Sequence, residues 1–401
     1  MRTAILSAAL AAVSAVSARP QELPSLRKII PALPVDIFNT PRLVTPVPFE
    51  DAHAKFQAAN VTGAQGPDLL GVADTIHSVM QDLTKVGGDM AKLLHSGTDT
   101  AKLLTSRATC ANIRVRPEWD QYEDDRKQGF INAIKCLMSR APSGQFASSR
   151  SRYEDLVALH QILTPNVHGN AKFLLWHRYL TWTFEDLLRS ECGFNDAIPW
   201  FDETRYAGRF AQSSVFSSRW FGSIALGGNC VTDGVRVPVI SPQDKRANPI
   251  QQFANLAINI GPGTDNQVHC LARNGDGSKT ANCNSAYVNQ CNSWADYDSM
   301  RSCAEGGPHA WGHNGIGAVM QDVYGSPADP TFWLHHAFID RNFRIWQNAN
   351  PDRINSINGA DSQNRPLTLD TTVNVYDIRP TVRIRDILDT TATTLCYRYS
   401  Y

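Results

Sequence analysis

Two groups of three histidines, spaced for neighbouring helices, constrain this chain more than any other feature. Imidazole is the side chain best suited to holding copper through a change of oxidation state. Any one of these histidines alone would more often be a hydrogen-bonded core residue. Two complete trios in one chain instead predict two metal ions that act together. The first trio is His160, His168 and His177, and the second is His309, His313 and His336.

The first trio can converge only if its middle member lies outside a helix. His160 falls on the apolar face of a helical pattern. Pro165 disfavours helix at the residue before it, so we expect the helix to end at Thr164 and His168 to lie in a loop. His177 then faces the core from the next helix, where a histidine needs a polar partner or a metal. The apolar stripe that it shares consists of Phe173, Leu180, Phe184 and Leu188.

The second trio begins with two histidines one helical turn apart. His309 and His313 lie on one helical face. The preceding Gly306-Gly307-Pro308 favours a helix start, because proline is tolerated at a first helical position. Zinc hydrolases also use such a pair, but they carry a glutamate directly after the first histidine. Ala310 holds that position here, which argues against a zinc protease.

The last ligand of the second trio comes from a helix with two adjacent histidines. Asp329 and Pro330 are suited to the N-cap and the first position of that helix. His335 and His336 lie near opposite edges of its apolar stripe, and geometry favours His336 only slightly as the ligand. The other histidine would then orient a ligand or pack beside it. Asp340, one turn later, could orient a histidine or be a solvated helix acid.

These patterns predict a mainly α fold, with a four-helix bundle around a dicopper site, long disulfide-held loops and little β structure. We assign residues 107–401 to this domain. Residues 205–300 are rich in Gly, Ser and Asn and contain four cysteines, so we expect irregular structure there. Residues 19–106 are proline-rich and then amphipathic, which indicates an N-terminal extension or pro-segment, although an ordinary packing layer fits as well.

The N-terminus and the cysteines predict a secreted protein. An apolar run ends in small residues before Ala18, as in a signal peptide over residues 1–18, and no later apolar run could span a membrane. The nine cysteines fit an oxidising compartment and allow at most four disulfides with one thiol left over, but their pairing stays open. Asn60 begins a glycosylation sequon that could equally remain unused. The formal net charge of zero gives no electrostatic case for a nucleic-acid partner.

Three segments resemble the copper-binding signatures of a known family. The segment from His168 to Tyr179 resembles the signature for one copper, CuA, of tyrosinases. The segment from Asp329 to Asp340 resembles the signature for the other copper, CuB, and Gly306 to Gly317 is similar to the fungal form of the first CuB pair. The likeness covers roughly residues 107–401. The family is the type-3 copper proteins, which comprise tyrosinases, catechol oxidases, o-aminophenol oxidases and hemocyanins.

The resemblance implies a dinuclear centre of two copper ions and no catalytic residue beyond the ligands. Phe332 would pack near the metals. Tyr397-Arg398-Tyr399 matches the Tyr-x-Tyr motif that ends the catalytic core, with Arg116 as a candidate partner. The implied ligands are His160, His168 and His177 for CuA, and His309, His313 and His336 for CuB.

The chain departs from the family pattern at three positions. Many relatives carry a cysteine two residues before the middle CuA ligand and join the two in a thioether, whereas Asn166 here predicts no such bond. Relatives with strong monophenol hydroxylation often have asparagine directly after the first CuB ligand, where this chain has Ala310. A bulky residue often gates CuA where this chain has Gly325, which would leave the site more open.

The functional expectation is a secreted oxidase of the short fungal tyrosinase type, which converts o-diphenols to o-quinones and reduces dioxygen to water. Its partners would be dioxygen and a small phenol, and the oligomeric state stays open. Asn314 would orient the phenol ring. Glu305 is a candidate for the family's water-holding acid, or a helix acid without a catalytic role. The alternatives are a tyrosinase with monophenol hydroxylation, an o-aminophenol oxidase or, in another class, a hemocyanin-like oxygen carrier.

Overall fold

The computed structural model describes residues 110–234 and 271–401. The predicted signal peptide, the N-terminal extension and the Asn60 sequon lie outside these residues. The described fold is mainly helical, as predicted. Its helices are α1 (Asp124–Ser139), α2 (Arg152–Val167), α3 (Phe173–Cys192), α4 (Gly277–Thr280), α5 (Ser285–Asn292), α6 (Tyr297–Ala304), α7 (Ala310–Ile316), α8 (Thr331–Asn348) and α9 (Ile384–Ile387).

The β structure of the described residues is confined to two short strand pairs. Strand β1 (Arg114–Arg116) pairs in parallel with β4 (Tyr397–Tyr399), in a register that sets Arg116 opposite Tyr399. Strand β2 (Thr372–Val373) pairs antiparallel with β3 (Val382–Arg383). Because β1 and β4 come from opposite ends of the described chain, this pairing closes the domain, and the Cys110–Cys396 disulfide joins the same two segments.

The apolar core lies between α2, α3 and α8. Helix α3 packs against both α2 and α8. The ring of Phe184 on α3 stacks on Trp333 of α8, with ring centroids 4.0 Å apart. The indole of Trp333 also donates a hydrogen bond to the hydroxyl of Tyr153 on α2, at 3.0 Å. Buried aromatic pairs of this kind fix the helices more narrowly than aliphatic packing does, which is what a metal site between them requires.

Helix α2 continues beyond the predicted end at Thr164 and reaches Val167, so that boundary prediction was wrong. Proline removes one donor, but this close to the helix end the carbonyls can be satisfied by side chains instead. His168 Nδ1 donates to the carbonyl of Thr164 at 3.1 Å, and Asn170 Nδ2 donates to that of Asn166 at 3.1 Å. His168 itself follows the helix in an extended conformation, as expected.

The segment before the second histidine trio is more regular than expected. Helices α4 and α5, and the first half of α6, lie within residues 205–300, for which we expected irregular structure. Polar residues of this segment are helix caps here. Asp276, Asn284 and Asp296 each accept main-chain N–H bonds in the first turn of α4, α5 and α6, respectively. Capping makes such short helices stable in a packed setting.

The chain changes direction between α6 and α7 at a glycine. Residues Glu305–His309 form a π-helical turn in which Gly307 has non-helical angles, φ −101° and ψ −115°. A Cβ atom at Gly307 would lie 2.8 Å from the ring of Tyr287, so a side chain does not fit there. This break re-aims the following helix α7, which carries His313 and begins directly after His309.

Disulfides tie the helices of the described residues together. Cys136–Cys192 joins α1 to the end of α3, and Cys291–Cys303 joins α5 to α6. Cys230 is also disulfide-bonded, and Cys283 is a buried free thiol. No helix of residues 110–234 or 271–401 is long and apolar enough to cross a membrane.

Candidate metal centre

The fold brings the first histidine trio into one cluster. His160 comes from α2, His168 from the residue after it and His177 from α3. One ring nitrogen of each lies within 4.8 Å of those of the others. His160 and His177 are buried, and His168 retains some exposure.

Main-chain carbonyls fix the orientation of these three rings. The Nδ1 atoms of His160, His168 and His177 lie 2.8, 3.1 and 2.8 Å from carbonyl oxygens, which can only accept a hydrogen bond. Each Nδ1 therefore carries the proton, and each Nε2 presents a lone pair. Nε2 of His160 and Nε2 of His177 face each other at 3.4 Å. Two lone pairs confronted in a buried site repel unless a cation lies between them, so this arrangement fits a metal ion.

The second cluster contains four histidines instead of three. His309 from the π-helical turn and His313 from α7 meet His335 and His336 from α8, again with ring nitrogens within 4.8 Å of one another. Nδ1 of His309 donates to the carbonyl of Glu305 at 3.1 Å, and Nδ1 of His313 donates to that of Met320 at 2.6 Å. Nε2 of His313 then faces Nε2 of His336 at 3.2 Å. Both nitrogens can bind one metal ion when each presents its lone pair.

The two clusters adjoin in one centre. The ring of His177 stacks on that of His336, with centroids 4.6 Å apart and planes 14° apart. Phe332, predicted to pack near the metals, is fully buried, and its ring centroid lies 5.4 Å from that of His160 and 4.0 Å from that of His336. Two metal ions can act on one substrate only if their sites adjoin, as these two clusters do. The ring of Phe332 packs beside a histidine of each cluster.

His335 has a partner that no sequence pattern predicted. Its Nδ1 lies 2.5 Å from Oε1 of Glu203, a fully buried carboxyl in the turns that follow Trp200. Glu203 belongs to no periodic pattern and is remote in sequence from every histidine, so pattern reasoning missed it. The only sequence signal was the adjacent His335-His336 pair, which required a second partner for one of the two rings.

Burial keeps these histidines neutral, as metal binding requires. It lowers the pKa of His168 to about 4 and that of His335 to about 3. Burial, reinforced by the neighbouring histidines, also lowers the pKa of the other five well below the ordinary value. A neutral imidazole offers its lone pair at once, so the donor set suits copper, which favours nitrogen ligands.

The metal-free protein should therefore lose stability as the pH falls from about 6.5 towards 4. Below pH 6.5 the unfolded chain protonates its histidines while the folded chain does not, which lowers the free energy of unfolding by about 1.4 kcal/mol per pH unit for each such histidine. Buried glutamates with a raised pKa, Glu118, Glu203 and Glu305, oppose this trend. The seven histidines outnumber them. Urea unfolding of metal-free protein at pH 7.5, 6, 5 and 4 would measure how the free energy of unfolding changes with pH. A free energy that does not fall towards pH 4 would contradict this prediction.

Two of the remaining pocket positions lie at the second cluster. Ala310 and Asn314 follow His309 and His313, respectively, and are buried. Gly325 is buried too, and its N–H donates to Oδ1 of Asp322 at 3.0 Å.

Glu305, at the start of the π-helical turn, is fully buried between the two clusters. Its Oε1 accepts from the N–H of Gly169, next to His168, at 2.6 Å, and its Oε2 accepts from Arg301 at 2.8 Å. Burial raises its pKa although Arg301 opposes that shift. Its contacts thus tie the loop of the first cluster to the turn that carries the second.

Asp340 is neither a solvated acid nor bonded to a histidine. It is buried, and its carboxylate accepts from Arg178 Nε at 2.5 Å and from the hydroxyls of Tyr397 and Tyr399 at 2.5 and 2.6 Å. Arg116, the candidate partner of the Tyr-x-Tyr motif, donates to the hydroxyl of Tyr399 at 2.9 Å. Arg178 follows His177, so this network joins the helices of both clusters to the C-terminal strand.

Comparison with known proteins places this geometry in a family. Residues 150–349 match the model of the common central domain of tyrosinase. The N-acetyl-6-hydroxytryptophan oxidase of Emericella nidulans is 30% identical over 346 residues, covering 72% of this chain and 92% of that protein. Tyrosinase P of Aspergillus terreus is 28% identical over 336 residues, covering 73% and 93%.

The fold agrees with a solved structure. A polyphenol oxidase variant from Thermothelomyces thermophila superposes with a TM-score of 0.60 at 25% identity, covering 89% of this chain and 98% of that one. With two adjoining clusters of neutral histidines in such a fold, the chain belongs to the tyrosinase family of type-3 copper proteins and is an oxidoreductase with a dinuclear copper centre.

Proposed function

We propose that this protein is a secreted o-diphenol oxidase. In the overall reaction, two o-diphenols each lose two electrons and two protons to one dioxygen, which gives two o-quinones and two water molecules. The two bound copper ions would supply the electron transfer between phenol and dioxygen. The side chains of the protein would hold the ions, admit the phenol ring and orient it.

The proposed ligands are one trio of histidines for each ion. The support is the direction of the Nε2 atoms, since Nδ1 of five of the six donates to a main-chain carbonyl. His336 is preferred to His335 because its Nε2 faces that of His313 and because it is the second of the adjacent pair, the ligand position in the CuB signature that this segment resembles. CuA would be held by His160, His168 and His177, and CuB by His309, His313 and His336.

The presence of Ala310 favours an o-diphenol over a monophenol as the substrate. A monophenol has a single hydroxyl, whose proton must be accepted by a nearby group before its ring is hydroxylated. The buried methyl of Ala310, directly after the proposed ligand His309, can neither accept nor orient that proton. A catechol already carries both oxygens, so its oxidation depends less on a base at this position. Asn314 and Phe332 would then orient the ring.

Secretion and substrate class have separate support. The disulfides Cys110–Cys396, Cys136–Cys192 and Cys291–Cys303 are typical of an oxidising compartment. The name of the Emericella nidulans relative, an oxidase of N-acetyl-6-hydroxytryptophan, favours a hydroxylated aromatic ring as the substrate. The oxygen-carrier alternative lacks comparable support, since these relatives are named as oxidases or tyrosinases.

Oxygen uptake by the copper-loaded protein tests the proposal. With 4-methylcatechol we expect steady uptake and quinone formation, and with the matched monophenol 4-methylphenol we expect little. Ala310→Asn is the matched variant, and it should raise the rate with the monophenol relative to the catechol. Equal rates with both substrates in the unmodified protein would overturn the choice of diphenol. Bound copper without uptake of either would favour an oxygen carrier.

A further inference from the structure

The second cluster poses a problem that the ligand assignment alone does not solve. His335 and His336 are adjacent on α8, both are buried, and a ring nitrogen of each lies within 4.8 Å of those of His309 and His313. A metal ion there could bind four imidazoles. A catalytic metal needs an open position for its substrate, and a fourth imidazole would fill it. Something must therefore hold one of the two rings away.

Glu203 is placed to do this. Its Oε1 lies 2.5 Å from Nδ1 of His335, and both side chains are buried. Within residues 110–234 and 271–401, no lysine or arginine forms an ion pair with Glu203. The thiol of the free Cys283 interacts with the same carboxyl and also donates to the carbonyl of Pro308, at 3.6 Å. The carboxyl is thus held in place and directed at His335.

The chain also makes room for this pair by omitting a side chain. Gly312 lies on α7 directly before His313. A Cβ atom there would lie 2.4 Å from Cε1 and 2.7 Å from Nδ1 of His335, and 3.0 Å from Oε2 of Glu203. The imidazole and the carboxyl therefore occupy the space that any other residue at 312 would fill.

We propose that Glu203 is a positioning residue that holds His335 off CuB, so that His336 alone of the adjacent pair binds copper. The inference rests on the ligand assignment proposed above. Glu203 touches neither copper nor substrate and acts only through His335. Its removal should release the imidazole and add a fourth nitrogen at CuB, at the expense of the open position.

The test isolates CuB by using His177→Ala as the parent protein, which should retain one Cu(II) that is visible by electron paramagnetic resonance. Pulsed measurements count the imidazole nitrogens bound to that ion. We expect three in the parent, four in Glu203→Leu, and three again when His335→Ala is added to Glu203→Leu. Glu203→Gln should keep three, because an amide can either donate to Nδ1 or accept from it.

Activity of the two-copper protein gives a second readout. Glu203→Leu should lower kcat for 4-methylcatechol by about 10- to 100-fold, the usual scale for losing a residue outside the ligand set of a metal site. Glu203→Gln should stay close to the unmodified protein, which a general packing defect would not explain. If Glu203→Leu does not fold, Gly312→Ala offers an independent route, since its methyl displaces the same ring and should also give four nitrogens.

The outcomes separate the two proposals. Three nitrogens in both Glu203→Leu and Gly312→Ala would overturn the positioning role while leaving the ligand assignment intact. Loss of a nitrogen on adding His335→Ala to the parent alone would instead show that His335 is a ligand, and the ligand assignment itself would fall.

Discussion

His336→Ala should remove one of the two copper ions and lower catechol oxidation by more than about 100-fold, beyond the range for residues that only orient ligands. The reason is the direction of its ring nitrogen, which faces Nε2 of His313 at 3.2 Å. His335→Ala should keep both ions, because His309, His313 and His336 complete the proposed CuB trio without it. The two substitutions remove the same side chain from adjacent positions of one helix, so each is the control for the other.

Copper content by mass spectrometry and oxygen uptake with 4-methylcatechol would measure both variants. His177→Ala extends the comparison to the first cluster and should likewise leave one ion. If His335→Ala loses copper while His336→Ala keeps two ions, the wrong neighbour has been assigned as the ligand. Near-ultraviolet circular dichroism of each variant would establish that its packing is unchanged.

Asp340→Asn should lower the free energy of unfolding by about 3–5 kcal/mol, the cost of removing one partner from a buried ion pair. The carboxylate accepts from Arg178 and from the hydroxyls of Tyr397 and Tyr399 in a site that water does not reach. Burial alone would raise its pKa, but Arg178, Arg116 and the two hydroxyls outweigh burial and lower it. The amide keeps the shape of the side chain and removes the charge, so it leaves the buried Arg178 without its anion.

Asp370→Asn is the matched control on the surface. Asp370 also pairs with two arginines, Arg383 and Arg385, but its side chain is 59% exposed. Solvent screens such pairs, so the same chemical change should cost less than about 1 kcal/mol. Urea unfolding of the metal-free proteins with their disulfides intact would give both values. Equal effects of the two substitutions would contradict the account of Asp340 as the centre of a buried network.

The sequence predicted the parts of this protein that depend on local period and spacing. Helical phase placed His160 and His177 on inward faces, and the proline after Thr164 indicated that His168 lies outside a helix. The Gly-Pro step before His309 marked the start of α7. In each case the determining interaction lies within about one helical turn of the residue.

What could not be predicted depends on contacts remote in sequence. Helical phase left His335 and His336 nearly equivalent. They are distinguished by the approach of His336 to His313, 23 residues away in the chain, and by the contact of His335 with Glu203, 132 residues away. Asp340 gave the pattern of an ordinary helix acid until strand pairing brought Tyr397 and Tyr399 to it. The extension of α2 past Pro165 has a local cause instead, since His168 and Asn170 cap carbonyls that lie four residues before them.

The central claim is that two adjoining histidine clusters hold two copper ions. The most direct measurement is the copper content of the full chain after loading and exhaustive dialysis, with zinc offered in competition. We predict two copper ions per chain in the unmodified protein. A single ion per chain, or replacement of the copper by zinc at both positions, would contradict the account.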